Sequence, residues 1–179
     1  MSLELHPCVY EPAEDTLLAI EAVRKLKEMD KSYERVAEVG TGSGAIALAL
    51  YRTLRPAVLL ATDISPYAVS VARRNLPPEV HVARCHGLCS PGPWDLVVMN
   101  PPYLPVGREE DRCEGWLSAA WAGEGVMEEL VREALSSSKE LLLVYSSLSP
   151  FKPSGLKGIR LGSERYFFEE LVVELLWRG

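Results

Sequence analysis

No stretch of this 179-residue chain approaches the roughly 18–20 consecutive apolar residues that a membrane-spanning helix needs. A membrane role is therefore not expected. The first 14 residues lack the basic start and apolar run of a secretory leader and carry acids and prolines instead. Histidine is scarce, at three, and cysteine numbers four. Cys85 and Cys89 are close in sequence, but Cys8 and Cys113 make no second close pair and no histidine completes a zinc set. No metal site is expected, and idle thiols in a reducing cytoplasm are the reading for all four cysteines. Positive charge is also short. With 19 Lys and Arg against 25 Asp and Glu, the net charge is −6. That balance argues against a broad, sequence-independent grip on nucleic acid.

What is present fits a globular protein: 47% of residues are hydrophobic and 25% charged. No repeat, low-complexity tract or linker divides the chain, so residues 1–179 are read as one domain, with an extension at 1–13 and a substrate-side loop at 104–125. Acids at Glu14 and Asp15 open a helix on which Ala19, Ile20, Val23 and Leu26 recur at helical spacing. Short apolar strands are expected at Arg35–Val39, 57–62, 79–84, 95–99 and 140–145, with helices at 45–54, 65–75 and 126–138. Ile159–Leu161 and Leu171–Leu176 read as a terminal strand pair, although 164–176 also has helical character. Strands alternating with helices predict an α/β fold with a mostly parallel sheet covered on both faces, closed by one antiparallel strand.

Three motifs fall at strand ends, where open α/β sheets place their ligand crevice. The first is Glu38-Val39-Gly40-Thr41-Gly42-Ser43-Gly44, whose glycines let the backbone turn and let a ligand come close. Gly40-x-Gly42-x-x-Ala45 also satisfies a dinucleotide fingerprint, with Asp63 near the expected ribose distance. Glu38 separates the two readings. An acid there repels a pyrophosphate but suits the cationic amino group of S-adenosylmethionine. The second motif is Asp63 itself, able to hold both ribose hydroxyls or to cap the helix after Ser65. The third is Asn100-Pro101-Pro102-Tyr103. Two prolines cannot continue a sheet ladder, so the strand stops at Asn100. The Asn100 side-chain oxygen and the Pro101 carbonyl can accept both hydrogens of one planar NH₂ group, and Tyr103 can lie against its face. Holding those hydrogens localises the nitrogen lone pair and aims it at a methyl carbon, which is catalysis by position rather than by a strong base. Glutamine amide and adenine amine are both eligible at such a site.

These motifs in this order resemble class I S-adenosylmethionine-dependent methyltransferases, with the Rossmann-like seven-stranded sheet of that fold. Tyr10-Glu11-Pro12-Ala13-Glu14-Asp15-Thr16 and Ala119-Ala120-Trp121-Ala122-Gly123 narrow the resemblance to the HemK-like glutamine methyltransferases, and within them to the short archaeal and eukaryotic branch. The resemblance implies a protein-glutamine N5-methyltransferase acting on the Gly-Gly-Gln loop of a peptide-chain release factor, located in the cytoplasm and paired with a small zinc-binding activator protein. It assigns cofactor binding to Thr16, Glu38, Gly40, Gly42, Asp63, Gly87, Leu88 and Asn100, and substrate binding to Asn100, Pro101, Pro102, Tyr103 and Leu104, with Asn100, Pro101 and Tyr103 catalytic. Val80-His81-Val82, on an expected edge strand, would suit an apolar partner or pack internally. One departure stands out. The family has Gly-Asp-Leu after the third strand, where the acid contacts the adenine amine; here the residues are His86-Gly87-Leu88. Adenine would then be held by backbone groups near Gly87 and Leu88 and by packing. The alternatives are an adenine amino-methyltransferase of nucleic acid, a protein lysine methyltransferase, a non-catalytic cofactor-binding scaffold and a nicotinamide-dependent oxidoreductase.

Overall fold

The structure, a computed structural model, describes residues 3–101, 113, 125–149 and 151–179. In chain order the elements are α1 (Glu14–Glu28), β1 (Arg35–Val39), α2 (Ala45–Thr53), β2 (Val58–Asp63), α3 (Pro66–Asn75), β3 (His81–Arg84), β4 (Trp94–Met99), α4 (Val126–Ser137), β5 (Ser138–Ser146), β6 (Lys157–Tyr166) and β7 (Glu169–Trp177). The strands form one sheet in the order β3-β2-β1-β4-β5-β7-β6. Strands β1 to β5 pair in parallel, and β7 runs antiparallel to both of its neighbours. The mostly parallel seven-stranded sheet with an antiparallel terminal strand is therefore as expected. The helical alternative for 164–176 is not: the segment is most of a hairpin.

Alternation along each strand divides the core in two. Val36, Leu96, Val98, Leu142 and Val144 face α1, α2 and α3. Ala37, Val97, Met99, Leu141 and Leu143 face α4. Leu96, Val97, Val98 and Met99 are wholly buried, so β4 reads as an unbroken apolar run rather than an alternating one. The chain places β2 and β3 on one side of β1, then returns to set β4 on the other. The sheet's switch point thus lies between β1 and β4, where Val39 pairs with Met99 and the chain leaves as Gly40 and Asn100.

One expectation is corrected here, and one reading left open is decided. The four cysteines are not idle thiols. Cys8 is bonded to Cys113 and Cys85 to Cys89, with Cα separations of 5.4 and 5.9 Å. The first pair joins positions 105 residues apart, a proximity made by the fold and invisible in spacing. Restricting an unfolded loop of that length is worth about 4–5 kcal/mol. Reduction with dithiothreitol should therefore lower the melting temperature by roughly 10 °C, and Cys8→Ser should reproduce most of that loss. An unchanged melting curve would show that the crosslink contributes nothing. Strand β3 is an edge strand as expected, but Val80 is buried and Val82 half-buried against the α1–α3 side of the core. Val80 packs internally, Val82 keeps part of its surface outside, and the Arg73 guanidinium donates to the Val82 carbonyl at 3.1 Å beside the edge that β3 presents.

Candidate active site

At the switch point lies a crevice of about 300 Å³. Thr16, Glu38, Gly40, Gly42, Asp63, Gly87, Asn100 and Pro101 all line it, brought from five separate segments of the chain. Leu88 does not. Its side chain is 1% exposed and packs in the α4-side core, leaving only its backbone near the crevice. Pro102, Tyr103 and Leu104 lie outside the described residues, as do Arg108–Arg112 and Ala119–Gly123.

The glycine turn is shaped by its own backbone. Gly40, Gly42 and Gly44 have φ of +77°, +54° and +83°, which glycine adopts without the Cβ penalty. A Cβ on Gly40 would meet nothing within 4 Å, so that position is open to a ligand. Gly40 and Thr41 donate their N–H groups to the Thr62 carbonyl, 2.9 Å each. Beneath the turn, Glu38 is 1% exposed and accepts from Thr41 Oγ1 at 2.5 Å. Burial, reinforced by the nearby Asp63 charge, pushes its carboxyl up to about 8. A buried acid without a cationic partner is costly to ionise, and it becomes cheaper once a cation arrives beside it.

Asp63 ends β2. Its Oδ2 accepts from the Gly42 N–H and its Oδ1 from the Ser65 N–H, 2.9 Å each. Burial raises its carboxyl above the ordinary range. The cap of α3 is Ser65, which accepts from Ala68, so Asp63 is not the helix cap. It ties the glycine turn to the end of β2 and faces the crevice.

Asn100 is the most informative residue. Its Nδ2 donates to Asp15 Oδ2 at 3.0 Å, while its Oδ1 is buried and has no partner among the described residues. Asp15 is itself 5% exposed, and its Oδ1 accepts from the Thr16 N–H at 2.7 Å and the Tyr10 hydroxyl at 3.1 Å. The carboxylate accepts only, so it fixes which way the asparagine amide points. The amide nitrogen turns to Asp15 and the oxygen is left as an acceptor. Burying an acceptor without a donor costs about 1–3 kcal/mol, an expense that a ligand N–H would remove.

Sequence reading missed three contributors. Asp15 looked like a helix-dipole acid, and its link to Asn100 spans 85 residues. Thr62, wholly buried, reaches the carbonyls of Glu38 at 3.1 Å and Gly87 at 2.8 Å, so one hydroxyl ties the end of β1 to the turn after β3. Glu133 on α4 approaches Gly87 and Leu88. Only Asp15 had a local signal, its place beside Thr16 within the Tyr10–Thr16 motif. A hydrogen bond to a charged group is worth about 1.5–3 kcal/mol, which is about 10–100-fold in rate if the positioning is lost with it. Asp15→Asn should lower turnover by that order while changing cofactor affinity far less, because it frees the Asn100 amide to flip. Turnover equal to wild type would remove Asp15 from the positioning role.

The model of the methyltransferase small domain family matches residues 21–116. A Methanocaldococcus jannaschii protein that carries the provisional name protein N5-glutamine methyltransferase is 28% identical, over 99% of this chain and 96% of its own length. Mouse methyltransferase HEMK2 is 37% identical over 75% of this chain and 66% of its own. Among solved structures, a chain of the E. cuniculi Mtq2–Trm112 complex, described as responsible for methylation of the eRF1 translation termination factor, superposes with a TM-score of 0.67 at 21% identity. The match covers 96% of this chain and 99% of that one. At that identity the likeness is one of fold.

Proposed function

This chain belongs to the methyltransferase small domain family, and from that membership we propose that it transfers a methyl group from S-adenosylmethionine to the side-chain amide nitrogen of a glutamine, in the Gly-Gly-Gln loop of a peptide-chain release factor. The observation that carries the reading is Asn100. Its oxygen is a buried acceptor awaiting a donor, and Asp15 prevents the amide from turning its NH₂ the same way.

The residues present fit the cofactor. Glu38 offers a buried carboxylate to a cationic amino group, Asp63 a carboxylate to the ribose, and Gly40 an open approach. When bound, the cofactor supplies an electrophilic methyl on a sulfonium. Asn100 Oδ1 and the Pro101 carbonyl accept the two hydrogens of the substrate amide. They turn its lone pair out of conjugation and toward the crevice. Held by Glu38, Asp63 and the glycine turn, the cofactor would offer its methyl to the nitrogen that Asn100 and Pro101 orient, and the proton given up by the amide would pass to solvent. Tyr103 is assigned the wall against the amide face, with Pro102 and Leu104 beside it.

Glutamine is preferred over adenine on two grounds. The Methanocaldococcus jannaschii relative carries the provisional name of a glutamine methyltransferase, and the surface at this end of the sheet suits a protein. Phe167 and Phe168, at the β6–β7 turn, are 101% and 91% exposed, and the half-exposed Tyr10 stands at the crevice wall. Glu14 and Glu164 are both exposed and both act on Tyr166 beside this turn, and paired acids there repel a nucleic-acid backbone. The reading places the reaction in the cytoplasm with translation. It also gives the unpaired edge of β3 a role, as the seat for a strand of a small zinc-binding activator protein. A labelled-methyl assay with release factor, its Gln→Ala variant and DNA as parallel acceptors tests the proposal. Label in the first alone supports it, and label in DNA overturns it in favour of an adenine amino-methyltransferase.

A further inference from the structure

Glu38, Asp63 and Gly87 stand at the ends of β1, β2 and the turn after β3, and all three line the crevice. Neighbouring strands are about 4.8 Å apart. A nucleoside whose ribose meets Asp63 therefore carries its base over the end of β3, between Gly87 and the α4 residues Val126 and Leu130, which line the same crevice. The turn at this place, His86-Gly87-Leu88, contains no acid. An acid is nevertheless present in space. A Cβ built on Gly87 would stand 2.1 Å from Glu133 Oε2, so the Glu133 carboxylate fills the volume a side chain on residue 87 would need. Glu133 sits one helical turn beyond Leu130, on the same face of α4. Its Oε1 accepts from the Leu88 N–H at 3.4 Å, well beyond the 2.7–2.9 Å of a strong charge-assisted bond. Gly87 itself has φ of +73°, a conformation in which any side chain would be strained as well as obstructed. The glycine and the glutamate fit as a pair: the first makes room and the second enters it.

We propose that Glu133 is the base-reading residue of the cofactor site, accepting a hydrogen from the 6-amino group of adenine with a carboxylate delivered from α4 rather than from the turn after β3. This rests on the cofactor reading above and replaces the expectation that backbone and packing alone hold the base with one that an experiment can separate from it. A carboxylate accepts from an amine and repels a 6-oxo group, so the residue sets a preference for adenine over hypoxanthine.

Calorimetric titration with S-adenosylhomocysteine and its hypoxanthine analogue tests this on wild type, Glu133→Gln and Glu133→Ala, with melting curves to verify that each is folded. Wild type should bind the adenine form about 10- to 100-fold more tightly, as one hydrogen bond to a charged group allows. Glu133→Ala should bring the ratio close to one. Glu133→Gln, whose NH₂ can donate to the 6-oxo group, should shift it toward hypoxanthine. A structural role alone would weaken both ligands equally, so an unchanged ratio in Glu133→Ala overturns the inference and leaves the cofactor reading standing. A folded wild type that binds neither ligand overturns both.

Discussion

Asn100→Ala should lower methyl transfer by about 10²–10³-fold, the range found when one preorganised polar group is removed from a reacting centre. The cause is specific. The alanine removes the side-chain acceptor that the described residues place for the substrate NH₂, and a substrate amide left conjugated is a poor nucleophile. Cofactor affinity should fall much less, because Glu38, Asp63 and the glycine turn are untouched. Asn100→Asp should be no better than alanine despite its similar size. A second carboxylate would lie 3.0 Å from Asp15, so one of the two must stay protonated or turn away. Single-turnover rates and calorimetric binding, measured side by side, separate the two effects. An Asn100→Ala enzyme with wild-type turnover would contradict the role given to this residue.

Glu38→Gln should move stability and binding in opposite directions. The folded carboxyl is raised from 4.5 to about 8 by burial, so between those values the native state holds a proton that the unfolded chain has released. Stability therefore falls as pH rises through that window, with the whole cost present above about pH 8. Glutamine cannot ionise and escapes the cost. The variant should melt above wild type at pH 9, and the gap should close as pH falls toward 5. Binding has the reverse sign. A cationic ligand favours the ionised carboxylate, so wild-type affinity for S-adenosylmethionine should rise, by at most about tenfold per pH unit, as pH climbs from about 6 until the ligand's own amino group begins to lose its proton near about pH 8. Glu38→Gln should bind weakly, with that pH dependence gone. Melting and calorimetry between pH 6 and 9 check both halves. A variant that loses both stability and affinity at pH 9 would mean that Glu38 is a structural residue.

The frame of this site was legible because local chemistry dictated it. Asn100-Pro101-Pro102 had to end a strand, Gly40 to Gly44 had to turn, and short apolar strands alternating with helices had to form a sheet buried on both faces. Each of those statements depends on neighbours in sequence. The support was not legible, because it depends on neighbours in space. Asp15 meets Asn100 only once α1 packs on the sheet with its first turn at the carboxyl end of β4. Cys8 meets Cys113 only through the same folding of the amino-terminal segment over the crevice. The missing acid after β3 was visible as an absence, but the carboxylate that fills its place comes from another helix. Val80 and Val82 were open to two readings in the sequence, and the fold divides them: Val80 is buried, while Val82 packs on the core and keeps part of its surface outside.

Peptide mass spectrometry of a release factor after incubation with this enzyme and S-adenosylmethionine tests the central claim most directly. The account predicts one added methyl on the side-chain amide of the Gly-Gly-Gln glutamine, lost when Asn100→Ala replaces the wild-type enzyme. A methyl found on lysine, or a glutamine left unmodified while nucleic acid is methylated, would contradict it.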